Sequence, residues 1–178
     1  MNKIRLGAQI AGVIGAAALT CLPFGIFVLG TPRAYADEPS SGTSGVDAAS
    51  VARGRYLVKT AGCNDCHTPG YARTDGRVPE SQWLIGDSRG FQGPWGTTYP
   101  ANLRRLFDSL SAAQWRQIAR QPARPPMPWF ALRDMTDEDL TAIYRYVRSL
   151  GPAGEQPPPY VAPGQPVHTP VITFPAES

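Results

Sequence analysis

The sequence pivots on Cys63-Asn64-Asp65-Cys66-His67. Two thiols three positions apart, with a histidine directly after the second, form the attachment pattern of a c-type haem. Each Cys can add across one porphyrin vinyl group as a thioether, and His67 then stands under the iron as the proximal ligand. The spacing matters because both sulfurs and the imidazole must meet one rigid macrocycle from a single short stretch. The same Cys pair could be a disulfide, a redox couple or half a zinc site. Zinc would require two more Cys or His ligands, and only Cys21 and His168 remain. A redox Cys-x-x-Cys belongs in a βαβ pattern, which does not surround this one. One covalent haem c is therefore expected, and it demands a second iron ligand, an apolar pocket and export from the cytoplasm.

Upstream of the motif, the spacing predicts a helix over 46–61, with Val51, Tyr56, Leu57 and Thr60 on one face. Gly54 lies in its middle, where glycine costs about 1 kcal/mol against alanine. The expected reason is close approach of another backbone, that of the last helix near Tyr144. Downstream, Pro69 should end the helical start, and a carbonyl in its neighbourhood should take the free N–H of His67. Residues 70–102 show no period and carry Tyr71, Trp83, Phe91, Trp95 and Tyr99. So long a loop calls for a job, and wrapping the cofactor edge is the expected one.

Ser111-Ala112-Ala113-Gln114 has the form of a capping box, opening a helix to about Arg120 with Leu110, Trp115 and Ile118 on its buried side. Arg104, Arg105, Arg116, Arg120 and Arg124 make this section basic, opposed only by Asp108. They fit a solvated face, a docking patch for an acidic partner, or counter-charge for haem propionates.

Pro125-Pro126-Met127-Pro128-Trp129 supplies the second ligand. A thioether is a common sixth ligand of a haem c and raises its potential. Met127 sits in an extended loop fixed by proline, whereas Met135 is better explained as a staple on Leu140, beside an N-cap at Thr136 and a capping box closed by Asp139. His168 lies in a proline-rich tail. The last helix, 136–150, has Leu140, Ile143, Tyr144, Val147 and Leu150 at helical spacing, acids in its first turn, and Gly151-Pro152 after it.

The 178 residues allow one domain and its tails. A positive start, an apolar run over 6–30 and Ala34-Tyr35-Ala36 read as a secretory signal over 1–36, leading to the periplasm. An anchor retained over residues 6–30 is the competing reading, and the membrane enters only through it. Cys21 would leave with the signal. The signal holds three basic residues and no acid; without it, the chain carries 14 basic and 14 acidic side chains. That balance gives no reason to expect nucleic acid. Residues 37–45 read as a flexible linker and 153–178 as a proline-rich tail with no chemistry of its own. The expected fold class is all-α: a small domain of three to five helices around one haem, with long Gly/Pro-rich loops.

Together, the haem motif, Met127 in its Pro-Met-Pro-Trp run and the Met-Thr-Asp-Glu-Asp-Leu start of the last helix resemble class I monohaem cytochrome c. Gly93-Pro94-Trp95-Gly96-Thr97-Thr98-Tyr99, Ala101-Asn102-Leu103 and Met127-Pro128-Trp129 are similar to cytochrome subunits of bacterial dehydrogenases. The resemblance covers about residues 46–160, with the cytochrome c domain at 46–152. It implies that Trp95, Tyr99 and Asn102 lie near the haem edge and propionates. It also implies a single-electron carrier without catalysis of its own, with a dehydrogenase as donor and a cytochrome or terminal oxidase as acceptor. Relatives often carry three haem motifs in tandem, whereas this chain has one. Two other readings are a haem sensor or peroxidase-like enzyme with an open or displaceable sixth ligand, and a non-catalytic anchoring subunit.

Overall fold

A computed structural model describes residues 41–175 of the chain. The signal or anchor over 1–36, Cys21 and linker residues 37–40 lie outside the described residues. Among the described residues are six helices: α1 (Ser41–Thr60), α2 (Cys63–His67), α3 (Leu103–Asp108), α4 (Ala112–Ala119), α5 (Trp129–Arg133) and α6 (Asp137–Ser149). Three short strands accompany them: β1 (Gly90–Gly93), β2 (Gly96–Thr98) and β3 (Val171–Thr173). The expected helices over 46–61, 111–120 and 136–150 are all present. Two more, α3 and α5, are only six and five residues long and carry no apolar period to give them away. Helix α1 begins at Ser41, so residues 41–45 are helical rather than a flexible linker.

Helices α1 and α6 cross at Gly54, as the sequence implied, but against different partners. A Cβ on Gly54 would collide with the Ala142 carbonyl and lie 2.7 Å from Tyr146 Cβ. Tyr144 faces elsewhere: its ring stacks on Phe107 at 5.9 Å between centroids and its hydroxyl donates to Leu110 O at 2.8 Å. Tyr56 is exposed, and its neighbour Val58 enters the core beside Leu57, Phe107, Trp115, Leu140, Ile143 and Val147. Thr136 caps α6 by accepting the Asp139 N–H at 3.1 Å. The Asp139 carboxylate does not close a capping box. It accepts two bonds from Arg53 of α1 at 2.9 and 3.1 Å, tying the two helices together.

The loop over 70–102 is more ordered than its aperiodic sequence suggests. Strands β1 and β2 form an antiparallel hairpin with Phe91 opposite Thr98. Strand β3, from the proline-rich tail, adds in parallel on the far side of β1, with Phe91 beside Ile172. Val161 pairs with Thr97 along β2. The tail is therefore a strap that completes the sheet. Its path is fixed near α6 by Arg104, which is buried and donates to Gly151 O at 2.5 Å, Ser81 O at 2.7 Å and Leu150 O. The bonds to Leu150 O and Gly151 O satisfy carbonyls at the end of α6 that have no partner within the helix. Burial pushes the Arg104 pKa down. Arg105 adds a bond to Gly154 O at 2.8 Å. These two arginines bond the chain's own backbone.

Candidate functional site: a haem cleft

Helix α2 is short because both its ends are set by sequence. Gly62 enters it in the left-handed region at φ 73°, and Thr68, the residue before Pro69, leaves it extended at φ −122°. Thr68 is buried and does two jobs. Its hydroxyl donates to Asn64 Oδ1 at 2.7 Å and accepts the Leu84 N–H at 2.8 Å. Leu84, fully buried, holds φ 62°, a conformation sparsely populated outside glycine. The Leu84 carbonyl accepts the Leu103 N–H at 2.9 Å, and the His67 carbonyl accepts the Gly86 N–H at 2.9 Å. The motif is thus braced from behind by two loops.

In front of it opens a cleft of about 890 Å³, within the range of cofactor sites. Cys63, Cys66 and His67 line it, together with Met127. His67 Nδ1 lies 2.8 Å from Ala101 O. A carbonyl can only accept, so Nδ1 carries the proton and Nε2 remains available to a metal. The partner is Ala101, not a carbonyl near Pro69, because the 100–103 loop folds back over the motif. Burial pulls the His67 pKa down, favouring the neutral ring, and pushes the Cys63 thiol up to about 11 and the Cys66 thiol up as well. Among the described residues, no cluster of three or more His, Cys, Asp or Glu exists to hold a metal ion.

Met127 reaches the cleft from a turn, not an extended loop: its N–H bonds the Arg124 carbonyl at 3.3 Å and its carbonyl accepts the Trp129 N–H at 2.8 Å. Thr98 of β2 anchors this turn by donating to Pro125 O at 2.7 Å. Met135 packs against the core, and His168 is exposed.

Of the residues implied for the haem edge, Tyr99 lines the cleft, and its hydroxyl shares a 2.7 Å bond with Thr169 of the tail. Trp95 and Asn102 do not line it. Trp95 packs on Gly93 and Phe174, and Asn102 caps α3 while donating to Ala153 O and Glu155 O at 2.8 and 3.1 Å. Ile118 is exposed on the protein surface because it faces the cleft, together with Ile143 and Val147 of α6. Pro158 and Tyr160 of the tail also line the cleft. They sit in a segment without period, where no sequence signal pointed to them.

The donor set suits a haem c: two thiols for thioether bonds, an imidazole with one nitrogen already committed, a thioether, and a lining that is otherwise mostly apolar. Residues 51–151 match the Cytochrome c family model. The chain is 29% identical over 126 residues to the fructose dehydrogenase cytochrome subunit of Gluconobacter japonicus, covering 65% of this chain and 24% of that protein. It is 27% identical over 164 residues to a nicotinate dehydrogenase subunit of Pseudomonas putida, covering 84% of this chain and 12% of the relative. It is 30% identical over 115 residues to the gluconate 2-dehydrogenase cytochrome c subunit of Pantoea cypripedii, covering 57% and 26% respectively. The chain spans about a quarter or less of the length of these relatives. No solved structure matches it.

Proposed function

This chain belongs to the cytochrome c family, and on that premise we propose that it is an exported single-electron carrier with His67 and Met127 as axial ligands of its haem c. The observation that carries the proposal is the convergence of Cys63, Cys66, His67 and Met127 on one cleft, with His67 Nδ1 tied to Ala101 O at 2.8 Å. When bound, the haem supplies a one-electron iron couple. Cys63 and Cys66 tether it. His67, its tautomer fixed by the Ala101 carbonyl, would hold the iron through Nε2. Met127 presents its sulfur from a turn pinned to β2 through Thr98 and Pro125. Ile118, Ile143, Val147 and Leu132 give the cleft apolar walls. With His67 and Met127 both holding the iron, no open position would remain for a substrate, which supports a carrier rather than an enzyme. The relatives' names support a dehydrogenase as electron donor; a cytochrome or terminal oxidase is the acceptor that completes the route.

Optical spectra of the exported protein, oxidised and reduced, test the ligation in wild type and Met127→Ala. The expected result is a low-spin c haem whose near-infrared sulfur-to-iron band is lost in the variant. A high-spin wild type that binds carbon monoxide would overturn it.

A further inference from the structure

Among the described residues, Arg124 is the one side chain with a formal charge in the lining of the cleft. Several other arginines have acidic partners. Arg116 and Arg120 share Asp137 at 3.7 and 2.5 Å, and Arg148 has Asp108 at 2.6 Å. Among the described residues, no carboxylate forms an ion pair with Arg124. Its guanidinium lies over the Tyr160 ring instead, 4.3 Å from the centroid. Tyr160 is itself held in place. Its hydroxyl donates to Trp95 O at 2.8 Å, and Val161 exchanges backbone bonds with Thr97 at 2.8 and 3.0 Å. A cation has thus been positioned at an apolar cleft with its charge uncompensated by the described residues.

A haem brings two propionate carboxylates, and an ionised carboxylate beside an apolar wall is costly unless it meets a counter-charge. The lining offers one. We infer that Arg124, seated on Tyr160 of the tail, is the counter-charge for one haem propionate, and that the pair raises the haem's reduction potential. The inference rests on the haem reading given above. Its electrostatics are direct: an unpaired propionate stabilises the more positive ferric iron, and a guanidinium beside that propionate cancels the effect. The tail then contributes to the potential through Tyr160, although it supplies no iron ligand.

The test is a spectroscopic redox titration at pH 7 of the full, haem-loaded chain as wild type, Arg124→Gln, Arg124→Lys and Tyr160→Leu. Arg124 is exposed, so its replacement leaves folding intact. In Arg124→Gln the reduced-to-oxidised ratio at fixed ambient potential should fall about three- to tenfold, tenfold being about 59 mV for one electron. Arg124→Lys should recover part of this, Tyr160→Leu should give a smaller shift of the same sign, and the optical spectra should not change. A ratio within twofold of wild type in Arg124→Gln would overturn the inference. So would a variant altered only in the salt dependence of its reduction by a protein partner, which would make Arg124 a docking residue. A wild type without the spectrum of a covalent haem would instead remove the reading beneath both.

Discussion

Gly54 on α1 lies directly against the backbone of Ala142 on α6, so the two helices meet without a side chain between them. Alanine at this position would gain about 1 kcal/mol of helix propensity and lose more to the collision. Gly54→Ala should therefore cost roughly 2 kcal/mol net, read as a lower guanidinium midpoint of the haem-loaded protein. A higher midpoint, the result expected of an open helical glycine, would show that the helices do not meet there.

Thr68 shares its hydroxyl between Asn64 Oδ1 and the Leu84 N–H, all of them buried. Thr68→Val keeps the shape and removes both bonds. It should cost about 2–3 kcal/mol, because a buried donor and a buried acceptor lose their partner together. Thr68→Ser, which keeps the hydroxyl, should recover much of the loss. A Val variant as stable as wild type, with Ser the weaker of the two, would mean that the methyl group alone matters. Amide exchange of Leu84 should quicken in Thr68→Val only.

Glu80 links three elements, accepting a fork from Arg55 at 2.9–3.0 Å and the Tyr146 hydroxyl at 2.7 Å. The Arg55 hydrogen bonds hold the Glu80 carboxyl below its ordinary pKa, against burial and with help from Tyr146. A depressed carboxyl contributes stability that is complete above its unfolded value, near 4.3, and is lost as pH falls through the folded one. The Glu80 side chain is 37% exposed and that of Arg55 47%, so the contribution is about 1 kcal/mol. Glu80→Gln should thus be less stable than wild type at pH 7 and converge with it as pH falls through the folded carboxyl's range. A difference that does not shrink on acidification would assign the loss to packing.

What the sequence made legible was whatever repeats or caps. The α6 face, the Ser111 box and the Gly54 crossing all show there, because helical spacing and capping chemistry are local. The Cys63–His67 motif is legible for the same reason, its geometry being contained in five residues. Strands β1 and β2 were not, since Gly-Phe-Gln-Gly and Gly-Thr-Thr are too short and glycine-rich to alternate. Ala101 as the partner of His67 depends on a loop closing across 34 residues, and no local signal encodes it. The arginine excess misled at Arg104 and Arg105, whose partners are backbone carbonyls rather than acids. Trp95 and Asn102 belong to a stretch that lines the cleft through Thr98, Tyr99 and Ala101, but these two residues are not part of the lining.

The strap also settles what the sheet can do in company. The outer side of β2 is met by Val161 and that of β1 by β3, so the hairpin offers neither of its own edges to another chain. The edge left over is β3, three residues long and bracketed by Pro170 and Pro175, which cannot donate to a ladder. Strand addition, a route from a small sheet to unwanted aggregation, finds no template of useful length among the described residues. At the described residues, a redox partner of the kind proposed above would meet side chains and shape, and would part without backbone pairing to undo.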